Sequence, residues 1–167
     1  MNRSDLTTLY EYSCWATARV LQAAGGLEQE QFLATPQGYP SSLQATLLHV
    51  LSAERLWRIR LETGSSPEAL RPEDVPTVAL LRERWVEEQQ AMRAYLGTLD
   101  DAALDRQVQF RRRTGDLSEP LVLWHLLMQL VTHGAAHRAE AAAMLTTFGQ
   151  SPGDLDFLIY VLEQGRA

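Results

Sequence analysis

Apolar residues recur with helical spacing in four long segments of the chain, separated by polar loops. The first segment covers about residues 4–24, and the Gly25-Gly26 pair ends it. The second begins at an N-cap supplied by Ser41 or Ser42 and runs to the residue before Gly64. Both segments are long enough to cross a small domain from end to end.

Two further helical segments are predicted in the second half of the chain. The third covers about residues 76–99, with Pro76 at or near its first position. The fourth covers about residues 118–148, with Ser118 as its N-cap and Pro120 in its first turn. Its apolar stripe is the strongest in the chain, so we expect this helix to lie against the core.

The remaining segments are short. A fifth helix is expected at about residues 154–162, and residues 108–110 with Gly115 favour an extended turn rather than a sheet of consequence. Four helices of this length predict an all-α, four-helix bundle with a short C-terminal helix, formed by residues 1–167 as a single domain. The loop at residues 64–75 is long enough for a crossover connection.

Composition narrows the possible roles. The net charge of −6 argues against nucleic-acid binding, and the Arg111–Arg113 cluster is interpreted as a solvated turn. No apolar run approaches the roughly 18 residues of a membrane span, and no signal-peptide pattern is present, so we expect a cytoplasmic protein. Cys14 is the only cysteine, which excludes an intrachain disulfide and favours a small core residue on the first helix.

His133 and His137 are the leading candidates for chemistry. Their spacing of four residues places both imidazoles on one face of the fourth helix, and a helical wheel puts them on or beside its apolar stripe, away from His125. Buried there, the pair is either two core histidines with ordinary hydrogen bonds or part of a divalent-metal site. Gly134 leaves room for close approach of a neighbouring helix, which could bring a third ligand.

The second helix contributes two more candidates. On its helical wheel His49 falls to one side of the apolar stripe, so periodicity alone does not place it in the bundle interior. Glu54 falls inside the stripe, where a carboxylate needs an arginine, an imidazole N–H or a metal as partner. An ion pair with Arg19, Arg58 or another arginine is the structural alternative to a catalytic role.

Several motifs together resemble the DinB-like family over nearly the whole chain. Residues 133–140 read His-Gly-Ala-Ala-His-Arg-Ala-Glu, which is similar to the family's final-helix pattern Asn-His-x-x-x-His-Arg-Gly-Gln. Residues 47–57 resemble its second helix, residues 12–19 its first, and the Asp-Leu-Asp at 154–156 its tail. The order and spacing of these motifs carry the resemblance.

The resemblance implies a metalloprotein and, commonly, a homodimer. It implies a divalent metal held by His49, His133 and His137, with zinc as the default and nickel, iron or manganese compatible with the same ligands. The chain departs from the usual Gly-Gln with Ala139 and Glu140. Glu140 lies one turn from His137, where its carboxylate could hydrogen-bond a ligand imidazole.

Two functions follow as expectations. The first is a metal-dependent enzyme acting on a small molecule, either a transferase that uses a low-molecular-weight thiol as co-substrate or a hydrolase, with Glu140 or Glu54 as proton shuttle. The alternative is a non-catalytic dimeric bundle, a metal sensor or a stress-related structural protein, in which the histidines are structural. The alternative predicts a thermal stability that is indifferent to chelator and added metal, whereas a metal-linked fold should respond to both.

Overall fold

Four long helices account for most of the chain in the computed structural model, which describes residues 1–165. They confirm the predicted all-α bundle, and the other elements are short helices and one two-stranded sheet. The elements are α1 (Arg3–Ala24), α2 (Gln29–Leu33), α3 (Leu43–Thr63), a 3₁₀ helix (Pro72–Asp74), α4 (Val78–Gly97), α5 (Asp101–Leu104), β1 (Gln107–Val108), β2 (Leu121–Val122), α6 (Leu123–Thr147) and α7 (Phe157–Gln164).

The packing order of the bundle differs from the chain order. Helix α6 packs against both α1 and α3, and α4 packs against the same two helices on the other side. Helices α1 and α3 therefore lie across a diagonal, as do α4 and α6. The chain crosses the bundle through residues 25–42 and 98–122, whereas the predicted crossing loop at residues 64–75 joins the neighbouring helices α3 and α4.

The predicted N-terminus of α3 is confirmed and that of α4 is shifted. The Ser42 hydroxyl accepts the backbone N–H of Ala45 at 3.2 Å, and Gly64 ends α3 in the left-handed conformation with φ of +72°. Helix α4 begins at Val78, two residues after the predicted start at Pro76, and Thr77 is its N-cap because the Thr77 hydroxyl accepts the backbone N–H of Leu80 at 3.2 Å. Pro76 thus lies just outside the helix.

The predicted start of α6 at Ser118 is wrong. The helix begins at Leu123, and Ser118 instead faces Phe110 across a hairpin, where its hydroxyl accepts the Phe110 backbone N–H at 3.2 Å. Strands β1 and β2 continue this hairpin, with Gln107 opposite Val122. Pro120 therefore precedes a strand rather than occupying a first helical turn, because the local hydrogen bonds of the hairpin outcompete the cap.

The C-terminal segment, α7 and the residues just before it, is tied to α1 by polar contacts. The Tyr12 hydroxyl donates to the Leu155 carbonyl at 2.9 Å, and the Trp15 indole N–H donates to Glu163 at 2.8 Å. Helix α7 begins at Phe157, three residues later than expected. Within residues 1–165, none of the helices has the length and apolarity needed to cross a bilayer.

Gly134 in α6 makes room for a buried arginine. A Cβ at this position would lie 2.6 Å from Nη1 of Arg138, one turn along the same helix. The Arg138 side chain is 2% exposed and donates to the Ser13 hydroxyl at 3.0 Å. Gly134 therefore accommodates a guanidinium that folds back over it.

We expect Gly134→Ala to destabilise the fold by roughly 2 kcal/mol or more, although alanine is favoured over glycine in helices by about 1 kcal/mol. The added methyl displaces the buried Arg138 guanidinium and removes its hydrogen bond to Ser13. Gly97→Ala is the matched control, because a Cβ added at this position, at the end of α4, would meet nothing within 4 Å. Urea unfolding of both variants checks this; equal stability of the two would contradict it.

Candidate metal centre

Three imidazoles from two helices meet at one point. His49 lies on α3, and His133 and His137 lie one turn apart on α6, which packs against α3 along its length. The ring centroids are 5.0 Å apart for His49 and His133, 4.7 Å for His49 and His137, and 4.6 Å for His133 and His137. One nitrogen of each ring lies within 4.8 Å of the other two.

This nitrogen arrangement fits a divalent metal. Ligand nitrogens at about 2.0–2.1 Å from a tetrahedral ion are about 3.4 Å apart, so side-chain rotations would suffice to close the three rings around one ion. Nε2 of His133 is buried and has no hydrogen-bond partner in residues 1–165, which is costly unless the nitrogen has another use. The donor set of neutral imidazoles suits zinc, nickel or iron, and manganese binds such nitrogen ligands more weakly.

The local electrostatics favour the neutral, ligating form of the imidazoles. Partial burial, followed by the proximity of His137, lowers the pKa of His133 below its ordinary value. Burial and His137 likewise lower the pKa of His49, with Glu140 acting in the opposite direction. Neutral rings keep the lone pairs that a cation requires.

The histidines are less buried than their helical pattern predicted. His133 and His137 are half-buried and His49 is exposed, so the triad lies at the edge of the bundle rather than in its core. The wheel position of His49 beside the apolar stripe was therefore right, and the two α6 histidines occupy the same edge. Such a site is open to a small molecule from solvent.

Glu140 is in contact with the triad. Its Oε2 lies 3.1 Å from Nδ1 of His137, and both side chains are half-buried. An ionised carboxylate only accepts hydrogen bonds, so this contact places the imidazole proton on Nδ1 and leaves the lone pair on Nε2. Carboxylates that hold histidine ligands in this way tune metal affinity in many proteins.

Glu54 lies away from the triad, in the interior of the bundle. Its side chain is 4% exposed, and the charges that act on it come from Arg138 and Glu88 rather than from any histidine. Glu54 thus has an arginine as its charged neighbour, although not Arg19 or Arg58. Arg58 binds Glu88 in a two-pronged ion pair, with contacts of 2.6 and 2.8 Å.

Arg138 is the interior residue that sequence reasoning missed. It follows His137 directly but points to the opposite side of α6, towards α1 and Glu54. Three buried polar atoms in this region have no hydrogen-bond partner in residues 1–165: Nη1 of Arg138, Oε2 of Glu54 and Nε1 of Trp85. The sequence feature that could have indicated this burial is Gly134, one turn earlier, which leaves space for the Arg138 guanidinium.

The remaining histidine and the single cysteine lie outside the triad. His125 is exposed near the start of α6, with its ring 4.1 Å from the Trp124 ring. Cys14 is buried in α1, and burial raises the pKa of its thiol to about 12. Neither side chain is available to complete the histidine cluster.

Comparison with known proteins agrees with the helical-bundle fold. The DinB family model matches residues 1–166, and the chain belongs to the DinB family. The fold is similar to the crystal structure of a DinB-like protein from Bacillus subtilis, with a TM-score of 0.62, 14% identity, and coverage of 86% of this chain and 93% of that one. No curated protein matches the chain.

We expect the stability penalty of Glu54→Gln to shrink as the pH rises from about 5 to 8. Burial raises the pKa of Glu54 from 4.5 to about 7, so the folded chain holds this proton more tightly than the unfolded chain. That contribution is complete below the unfolded pKa and is lost as the pH rises through about 7. Between these two pH values the stability penalty of Glu54→Gln should change by at most about 3 kcal/mol.

Urea unfolding of wild type and Glu54→Gln at several pH values measures this effect. Glu87→Gln is the control, since Glu87 is exposed on α4. A penalty that grows with pH would mean that the ionised carboxylate pairs with Arg138, and the prediction would fail.

Proposed function

We propose that this protein is a divalent-metal-dependent enzyme that acts on a small molecule, as a thiol-dependent S-transferase or as a hydrolase. The observation that carries the proposal is the meeting of His49, His133 and His137 at an accessible edge of the bundle. Three neutral imidazoles leave at least one coordination position for a reactant. Structural sites, in contrast, usually use all four positions for protein ligands.

The chemistry supplied by a bound cation is Lewis acidity, which lowers the pKa of a coordinating thiol or water. The chain's own residues prepare the site for this role. Glu140 holds the proton of His137 at Nδ1 and fixes the orientation of that ring. The low pKa of His133 and His49 keeps both rings in the ligating form near neutral pH.

We assign proton transfer to Glu140 rather than to Glu54. The Glu140 carboxylate is half-buried, touches His137 and lies on the accessible side of α6. The Glu54 carboxylate is enclosed in the bundle beside Arg138. A proton carrier has to reach the reacting group, directly or through one water, and only the first position offers this.

Purified, untagged protein is expected to bind about one divalent ion per chain, with zinc as the default metal. His133→Ala with His137→Ala should abolish binding, while His125→Ala on the same helix should not. Glu140→Ala is expected to weaken binding about 10- to 100-fold. Elemental analysis and chelator competition give these values; equal trace metal in wild type and the double variant would refute the metal site.

The same preparations separate the two reactions and the non-catalytic alternative. For transfer, cysteine and monobromobimane are the probes: the thiolate sulfur bonds to the bimane methylene carbon, bromide leaves, and the thiol proton goes to solvent. For hydrolysis, the probe is p-nitrophenyl acetate. Metal-dependent turnover of either probe supports an enzyme. Bound metal without turnover supports a metal sensor, and stability that responds to neither chelator nor added metal supports a structural bundle.

We also propose that two copies of the chain associate, as the family resemblance implies. Helix α7 leaves Leu158, Val161 and Leu162 exposed on its surface, by 65, 44 and 47%. Adjacent exposed apolar side chains are typical of interaction surfaces. Light scattering should give twice the mass of one chain, and Leu158→Glu should reduce it to a single chain; a wild-type monomer would exclude the dimer.

A further inference from the structure

A small cavity opens directly beside the histidine triad. It has a volume of about 210 Å³, and His49 forms part of its wall. This volume is below the roughly 300 Å³ at which drug-sized pockets begin, so it suits a molecule of only a few carbon atoms. His49 therefore belongs to two features at once, the triad and this cavity.

Most of the remaining wall surface is apolar, and its polar residues are two arginines, Ser52 and Glu68. Leu56 of α3 and Ala69 and Leu70 of the following loop supply apolar surface. Arg55 and Arg113 supply the two guanidinium groups. A mainly apolar wall with a few convergent charged groups is the usual composition of a small-molecule site.

The two arginines lack carboxylate partners, in contrast to several other arginines of this acidic protein. Arg19, Arg58 and Arg93 each lie within 3.0 Å of a glutamate oxygen. Within residues 1–165, no carboxylate lies within 4.0 Å of the guanidinium nitrogens of Arg55 or Arg113, even though Glu68 also lines the cavity. Neither guanidinium is therefore paired with a carboxylate, and the two positive charges on this wall exceed the single negative charge of Glu68.

Arg55 is held in place by the loop opposite. Its Nη1 donates to the backbone carbonyl of Glu68 at 2.8 Å, which fixes the guanidinium beside the cavity. This single bond uses one of five N–H donors. The others remain for a ligand, and a fixed guanidinium binds an oxyanion with less loss of side-chain freedom than a mobile one.

The turn that carries Arg113 is fixed to the end of α3. The Arg111 backbone N–H donates to the Gly64 carbonyl at 2.9 Å, and the Ser66 hydroxyl donates to the Arg111 carbonyl at 2.9 Å. Arg60 adds a third contact, with its Cζ 4.4 Å from the centre of the Phe110 ring. The cluster interpreted from sequence as a solvated turn is exposed, but its last arginine also forms the cavity wall.

We propose that this cavity binds the oxyanion end, carboxylate or phosphate, of a small substrate with a short apolar chain. Arg55 and Arg113 bind the anion, and the apolar wall packs against the apolar chain of the substrate. The reacting group of the substrate lies on the side of His49, next to the triad. Guanidinium groups match both oxyanions in geometry and charge. The reactive part of this assignment rests on the proposed metal-dependent function, whereas anion binding itself does not.

The test uses the full-length protein treated with chelator, so that no metal contributes to anion binding. Butyrate, propyl phosphate and the neutral analogue butanamide are titrated while the backbone amide NMR signals of Leu56, Ala69 and Leu70 are followed. At least one anion should bind with a Kd at least tenfold below that of butanamide, which corresponds to about 1.4 kcal/mol. The tighter anion identifies the group; equal Kd values for anion and amide would overturn the proposal.

Variants locate the binding charge. Arg113→Gln and Arg55→Gln should each raise the Kd of the tighter anion about five- to tenfold, and Arg113→Lys should recover part of the loss. Arg112→Gln, which removes the same charge from a neighbour that does not line the cavity, should leave the Kd unchanged. Equal losses in the 112 and 113 variants would show general attraction and refute the site. Thermal melting shows whether Arg55→Gln is still folded, so that misfolding is distinguished from lost binding. Arg113 is exposed, so Arg113→Gln tests binding without a risk to the fold.

Metal content distinguishes this proposal from the one on which it rests. Zinc added to Arg113→Gln should bind as it does to wild type, because Arg113 is not part of the triad. Normal zinc binding with no anion binding by wild type would refute the cavity assignment and leave the metal-dependent function standing. Anion binding without zinc binding would refute the metal-dependent function alone.

Discussion

The packing of α3 against α6 is the constraint on which the rest of the molecule depends. Leu47 and Leu51 of α3 share one apolar cluster with Met144 and Leu145 of α6, and all four are nearly inaccessible to solvent. His49 lies between the two leucines in sequence, so the register that buries them also sets its height opposite His133 and His137. A slip of one helical turn, about 5.4 Å, would separate the rings, and it would also uncover the leucines.

Helix α6 consequently places side chains in two different environments. One side presents imidazoles at the edge of the bundle, and the other carries Arg138 into an interior that also holds Glu54. Buried charged groups are costly, and their arrangement limits how the helices can rotate. The Arg58–Glu88 pair makes a comparable link between α3 and α4. Charged groups inside the bundle thus help to hold the triad at its edge.

Periodicity was sufficient to predict the helices but not the surroundings of their side chains. The Ser42 cap and the Gly64 end follow from local chemistry, so α3 could be delimited from sequence. Ser118 could not, because its backbone and hydroxyl pair with Phe110, a contact set by the hairpin. A helical wheel also assumes that arginine faces solvent. Arg138 does not, and its burial moves the histidines to the edge. The position of Arg113 at the cavity wall depends on a turn outside both helices of the triad. No periodic pattern describes such a turn.

Cys14 has a consequence for any chemistry with external thiols. It is the only cysteine, it is buried in α1, and burial raises its pKa to about 12, so the protein presents no competing sulfur nucleophile at its surface. Mixed disulfides with cellular thiols and inactivation by mild oxidants are therefore disfavoured. It also means that a single cysteine engineered onto the surface would be the sole attachment point for a fluorophore, with the native residue left untouched.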